Sequence, residues 1–312
     1  MTRHLCSDAD LSAADYLRVL DLAQQVKRHP ELYRDALRGR SIAVIFSKQS
    51  TRTRVSFEVG IHQLGAQPLV LTAGGSTGMQ MGRGESTHDT AKVMSRFVDA
   101  IVIRTFAQQE VDDLARYGTV PVVNALTDAY HPCQALADMQ TLRERFGDTR
   151  GLKLVYVGAG NNVAHSLMLA GPRAGVDVVV ASPESVPPDA RILKRAQADA
   201  KAAGTQVSVE KDPLKAVKNA HAVYTDTWVS MGQDAEAEAL RKKLQRYQVN
   251  PALMDRARPD AIFLHCLPAH RGEEVVDEVM DGRWSAVFDQ AENRLHAQKA
   301  LLLLLLGAAS WS

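Results

Sequence analysis

Residues 41–61 read SIAVIFSKQSTRTRVSFEVGI. The first six, Ser41–Phe46, are a short apolar run with β-branched side chains, which predicts a buried strand. Ser50-Thr51-Arg52-Thr53-Arg54 then puts two guanidinium groups and three hydroxyls within one turn. Val55 to Ile61 can continue as a helix, with Ser50 or Thr51 as its N-cap. A strand that ends on a polar turn and enters a helix is the building unit of a parallel α/β sheet. The turn has the parts of a phosphate site: free N–H donors, the positive end of the helix dipole, and Arg forks that match phosphate oxygens in pairs. The plain alternative is a solvated, basic helix start, and the rest of the chain decides between the two.

Upstream, apolar positions over residues 12–37 recur at helical spacing. Downstream, strands are expected at 68–71, 100–104 and 120–124, with a helix over 89–97 and a flexible glycine-rich loop over 74–78. The pattern restarts at Gly151. Strands are expected at 153–158, 176–181, 207–209, 222–226 and 261–266, with a helix from Val163 and a further strand at 285–289 closing the sheet. A last helix is expected over 292–306. Strands alternating with helices imply parallel sheets covered on both faces. The expectation is an α/β chain of two doubly wound parallel-sheet domains with an interdomain cleft. A helix over 132–146 links them, and the C-terminal helix packs back on the first domain. The domains are residues 1–131 plus 292–312, and residues 132–291.

The totals agree. The chain has 312 residues, enough for two domains of about 150 each. Hydrophobic residues make up 46%, charged residues 23%, and the net charge is +1. That describes a folded globular protein with no basic excess for nucleic acid. Cys6, Cys133 and Cys266 are few, odd in number and far apart, which suits reduced thiols in a cytoplasm better than a secreted disulfide framework. The N-terminus carries Asp8 and Asp10 and no apolar h-region, so no signal peptide is expected. The run Leu301 to Leu306 is too short to span a bilayer, and no membrane partner is expected.

Other polar clusters fall at the carboxyl ends of the expected strands, where open α/β sheets bind ligands. Arg104 ends one strand. His131-Pro132-Cys133-Gln134 opens the linking helix, with Pro132 suited to its first turn; His131 and Gln134 there could bond a carbonyl or an amide, or simply cap the helix. Gly158-Ala159-Gly160-Asn161-Asn162 follows a strand, but a dinucleotide fingerprint would want glycine where Val163 stands, and Glu184 is a poor fit for its acidic residue. The better reading is a tight turn that presents two Asn side chains. Asp226-Thr227-Trp228-Val229-Ser230-Met231-Gly232 offers a carboxylate for an ammonium group and a hydroxyl and N–H for a carboxylate, which are the parts for gripping an amino-acid backbone. His265-Cys266-Leu267-Pro268 suggests a nucleophilic pair or a metal site. Neighbouring strand residues point to opposite faces, however, and no metal-ligand spacing is present. Arg294, at the start of the last helix, is a third cation for the cleft or a surface residue.

In this order, Ser50-Thr51-Arg52-Thr53-Arg54, His131-Pro132-Cys133-Gln134, Asp226 with Ser230-Met231-Gly232, and His265-Cys266-Leu267-Pro268 resemble the ornithine carbamoyltransferases, from about Asp8 to Leu306. The resemblance implies transfer of the carbamoyl group of carbamoyl phosphate to the δ-amine of L-ornithine, giving L-citrulline and phosphate, in arginine synthesis or breakdown. It implies that Ser50, Thr51, Arg52, Thr53 and Arg104 cradle the phosphate. Gln80 resembles the glutamine that a neighbouring subunit lends to this site. His131 and Gln134 would hold the carbamoyl group, and Cys266, Leu267 and Arg294 would complete the centre. Asn162, Asp226, Ser230 and Met231 would grip the α-amino and α-carboxylate groups of ornithine. Catalysis would fall to Arg52, Arg104, His131, Gln134, Cys266 and Arg294, with no metal or organic cofactor. The family's enzymes are trimers, or assemblies of trimers, with shared active sites. One departure stands out: Ala159 occupies a position where the family often has Asp.

Other acceptors fit less well. An acetylated amine has no charge for Asp226 to pair, and putrescine has no carboxylate for Asn162 and Met231. Aspartate would need cations that His265-Cys266-Leu267-Pro268 does not supply. A silent binding protein would not be expected to keep Arg52, Arg104 and His131 together.

Overall fold

In the computed structural model, residues 2–73, 81, 84–229 and 237–311 are described. The chain divides into two compact units, Met1–Gln140 with Asn293–Ser312, and Thr141–Glu292. The first unit contains α1 (Ala13–Arg28), β1 (Ser41–Phe46), α2 (Thr51–Gln63), β2 (Gln67–Thr72), α3 (Thr87–Met94), β3 (Ala100–Arg104), α4 (Gln108–Tyr117) and β4 (Val122–Leu126). The helix α5 (Pro132–Phe146) carries the chain out of it. The four strands form one parallel sheet in the order β2-β1-β3-β4. All five residues of β3, and five of the six in β1, are buried, as expected for parallel strands covered on both faces. Val44 sits level with Val70 on one side and Val102 on the other.

The second unit contains β5 (Lys153–Val157), α6 (Asn162–Ala174), β6 (Asp177–Ala181), α7 (Ala190–Ala203), β7 (Val207–Glu210), α8 (Pro213–Ala216) and β8 (Ala222–Thr225). It continues with α9 (Ala237–Leu244), α10 (Pro251–Met254), β9 (Ile262–His265), α11 (Asp277–Met280) and the start of α12 (Val287–Leu305). Its five strands are parallel in the order β7-β6-β5-β8-β9. Among the described residues, no helix is long and apolar enough to cross a membrane.

Strand order fixes where each unit can bind. In the first sheet the chain moves from β1 outward to β2, then returns to lay β3 on the other side. In the second it moves from β5 to β6 and β7, then returns to lay β8 beside β5. Each reversal opens a crevice at the carboxyl ends of the two central strands. The crevice at β1 and β3 receives the Ser50 turn and Arg104. The crevice at β5 and β8 receives Asn161 and Asp226.

The last part of α12 belongs to the first unit, as expected for the C-terminal helix. It lies so close to α2 that a Cβ on Gly60 would stand 3.2 Å from both Leu295 and Lys299. The buried Lys299 reaches Gln63 at 3.0 Å, and Leu301 to Leu304 are buried.

Three expectations need correction. The first helix ends at Arg28 rather than near residue 37, because Pro30 lacks an N–H and disfavours helical geometry at His29, which sits at φ −131°. The fourth strand runs Val122–Leu126, not 120–124; Pro121 contributes only its carbonyl, which accepts the Ile101 N–H at 2.9 Å. Residues 285–289 are not a strand. Ser285 makes a single bridge to Phe263, and α12 has begun by Val287.

Candidate active site

In the first unit, Ser50 caps α2. Its backbone is extended (φ −165°, ψ 118°) and its Oγ accepts the Thr53 N–H at 3.3 Å. The turn before it is braced by β3: the Arg104 carbonyl accepts the Ser47 N–H at 2.9 Å. At Arg104 the pairing of β3 with β4 shifts register, an irregularity of the kind that re-aims a side chain at a sheet end. The guanidinium then reaches Thr53 Oγ1 at 3.4 Å. Arg294, 5% exposed, donates to the same oxygen at 3.3 Å and to Gln134 Oε1 at 2.8 Å. Gln134 Nε2 donates to Asp138 at 2.9 Å, so one buried chain of hydrogen bonds sets the orientation of Arg294. Thr51 opens α2 beside a recess of about 480 Å³ lined also by Gln49, Ser50 and Arg54.

His131 is buried among these groups. Burial first, then the charges of Arg294, Arg104, Arg52 and Lys48, hold its imidazole well below its ordinary 6.5. The ring therefore stays neutral while four cations surround it. Such a nest is an anion site, because a bound anion relieves the crowding of like charges. Lys48 was missed by the sequence reading. It is buried, donates to Asp128 at 3.3 Å and lies 5.0 Å over the Phe106 ring. Its only signal was its place two residues before the Ser50 turn.

In the second unit, Asn161 caps α6. Its Oδ1 accepts the Val163 and Ala164 N–H groups at 3.0 and 3.1 Å, and its Nδ2 donates to Asp226 Oδ2 at 2.7 Å. Asp226 Oδ1 accepts the Thr227 N–H at 2.7 Å and the Cys266 thiol at 2.9 Å. Both oxygens of Asp226 are thus met by donors that carry no net charge, and none of them occupies the place of a cation. Tyr156 senses that field. Burial, then Asp226 and Cys266, push its phenol well above its ordinary 10.0.

The turn that delivers Asn161 is a packing device. A Cβ on Gly160 would stand 2.0 Å from Pro188 N, so only glycine fits there. Ala159 packs against the apolar core of the unit. Cys266 and His265 face different partners: the thiol meets Asp226, while the buried imidazole meets Glu274 at 3.1 Å. His270, Glu273 and Glu274 lie close together, but Glu273 is held by Arg241 at 2.8 Å and Glu274 by His265.

The structure therefore groups Ser50, Thr51, Arg52, Thr53, Arg104, His131, Gln134 and Arg294 in one unit, and Asp226, Cys266 and Leu267 in the other. Asn162 is the first residue of α6, and its neighbour Asn161 is bonded to Asp226. Gln80, Ser230 and Met231 lie outside the described residues.

A crevice walled by cations in one parallel α/β unit and a carboxylate side chain at the strand ends of a second suit a transferase with two substrates of opposite charge. Residues 3–144 match the aspartate/ornithine carbamoyltransferase carbamoyl-P binding domain, and residues 150–305 match the Asp/Orn binding domain of the same family. The chain belongs to the aspartate/ornithine carbamoyltransferase family. It is 53% identical over 309 residues to the ornithine carbamoyltransferase of Acidothermus cellulolyticus, covering 99% of this chain and 98% of that one. It is 51% identical to the anabolic ornithine carbamoyltransferase of Pyrococcus furiosus, covering 98% and 96%. The solved structure of an ornithine carbamoyltransferase from Pyrococcus furiosus is similar at a TM-score of 0.94, with 50% identity and coverage of 99% and 98%.

Proposed function

We infer that this chain transfers the carbamoyl group of carbamoyl phosphate to the δ-amine of L-ornithine, giving L-citrulline and phosphate. What carries the reading is the nest of four cations around neutral His131, in a chain 51–53% identical over nearly its full length to ornithine carbamoyltransferases. In the transfer, the δ-nitrogen forms a bond to the carbamoyl carbon, the carbon–oxygen bond to phosphate breaks, and the amine gives up one proton. Negative charge grows first on the carbamoyl oxygen and then on the departing phosphate. Ser50, Thr51, Arg52, Thr53 and Arg104 hold the phosphate, with Arg294 braced by Gln134. Neutral His131 stabilises the carbamoyl oxygen by donating a hydrogen bond. Each well-aimed donor lowers the barrier by about 3–4 kcal/mol. Asp226 pairs the α-ammonium group of ornithine. Asn162, Ser230 and Met231 hold its remaining polar groups, and Cys266 and Leu267 border the reacting carbon.

Assembly as a homotrimer, or as a set of trimers with shared active sites and Gln80 lent across the interface, is part of this reading. Its support is exposed apolar surface in this part of the unit: Val55, which lines the Ser50 recess, and Val59 on α2 are 51% and 38% exposed, and Leu69 on the edge strand β2 is 38% exposed. Sedimentation of the native chain against Val55→Glu tests it, with dissociation expected. A cytoplasmic location fits Cys6, Cys133 and Cys266, none of which is in a disulfide.

The decisive assay offers carbamoyl phosphate with ornithine, putrescine, N-acetylornithine and aspartate in parallel. Citrulline from ornithine alone is expected. Carbamoylation of another amine overturns the roles given to Asp226 and Asn162.

A further inference from the structure

His265 carries a hydrogen-bond pattern that fixes its tautomer. The Leu267 backbone N–H points at its Nδ1 from 2.8 Å. A backbone N–H can only donate, so Nδ1 must hold a lone pair and the ring proton must sit on Nε2. Nε2 lies 3.1 Å from Glu274 Oε1, and both side chains are 0% exposed. The same Glu274 oxygen accepts the His270 N–H, which pins the carboxylate to its own loop. The His265 N–H is held separately by Gln290 at 2.8 Å, so the ring hangs from a fixed backbone.

What the ring holds is unusual. Leu267 has φ +60°, a left-handed conformation that leucine rarely adopts and that persists only where its surroundings impose it. The Leu267 N–H bond to His265 is one interaction that holds it there. It thereby sets the backbone that follows Cys266, whose thiol reaches Asp226 at 2.9 Å.

We propose that Glu274 is a positioning residue for the transfer: through His265 it holds Leu267 and Cys266 in the geometry the reaction needs. This rests on the reading of Cys266 and Leu267 as neighbours of the reacting carbon. Glu274 is 0% exposed, so it acts through His265. It selects the imidazole tautomer, the tautomer accepts the Leu267 N–H, and the backbone follows. A buried carboxylate that orients a histidine by accepting its far N–H is a recurring device.

The test combines turnover with the state of the ring. In the native chain, labelled with ¹⁵N-histidine and assigned through His265→Gln, His265 is expected to show a bare Nδ1 and a protonated Nε2. A protonated Nδ1 overturns the proposal whatever the turnover. Glu274→Met removes the acceptor with little change in volume. It should lower kcat about 100-fold, leave the affinity for inorganic phosphate within twofold, and erase the native ring signature. Glu274→Gln keeps a carbonyl for Nε2–H and should recover kcat to within about tenfold of native. A folded Glu274→Met with near-native kcat overturns the proposal, as does a Glu274→Gln variant no better than Glu274→Met. If the methionine variant fails to fold, the native ring signature and the glutamine variant still decide. A native chain that shows the expected ring but makes no citrulline sinks the function reading instead, so the two failures are distinguishable.

Discussion

Two buried titratable rings report opposite fields in the two units. In the first, His131 is pushed down by burial and then by Arg294, Arg104, Arg52 and Lys48. In the second, Tyr156 is pushed up by burial and then by Asp226 and Cys266. Burial alone would keep each ring neutral; the signs of the added charges differ. In the proposed function one crevice takes an anionic group and the other a cationic one, on two sheets of the same parallel design. The difference comes from the last residues of a few strands and the turns that follow them.

The sharpest way to break this comparison is to remove a cation. Arg52→Ala should lower kcat/KM for carbamoyl phosphate by about 100- to 1,000-fold, with thermal stability close to native, because Arg52 is only half-buried. Steady-state kinetics beside a melting curve checks it. A folded variant with near-normal turnover would remove the phosphate cradle from the first unit. The matching change in the second unit is Asp226→Asn, which keeps the shape and removes the charge. A hydrogen bond to a charged group is worth about 1.5–3 kcal/mol, so KM for ornithine should rise about 10- to 100-fold while phosphate affinity holds. Weakened phosphate affinity would mean the two fields do not divide as described. Thr53→Val is milder. It keeps α2 and removes the hydroxyl on which Arg104 and Arg294 converge. Each of the two lost bonds costs about 1 kcal/mol, so the expected loss in kcat/KM is about 30-fold, and an unchanged value would show that the arginines are held without it.

How much of this could be read in the sequence depended on distance along the chain. β1, β3 and α5 were legible to the residue because each is one continuous run with a clear stop. The Ser50 turn was legible because its parts are consecutive. Residues 285–289 misled because a short apolar run is equally a strand or the first turn of a helix; Asp289 and Gln290 fit the helix start, where Gln290 N–H reaches the Ala286 carbonyl at 2.9 Å. The bond from Asn161 to Asp226 was hidden because the two lie 65 residues apart. The role of Glu274 was equally hidden, since only the fold shows which histidine it meets.

His131 offers the finest test, because its field should be visible as stability. In the folded chain it takes a proton well below 6.5, whereas in the unfolded chain it does so near 6.5. Between those two values the unfolded state binds more protons, so stability must fall as pH drops through 6.5 and the contribution is complete above it. Urea unfolding at fixed protein concentration over about pH 5–7 should show this slope, and His131→Asn should flatten part of it. Inorganic phosphate adds a finer step. An anion seated among the cations offsets their charge and lets His131 protonate more easily, so the native slope should shrink when phosphate is added. The slope of His131→Asn should respond less. If phosphate changes both slopes equally, the anion is not sitting in the field that His131 reports, and the contrast between the two units loses its first half.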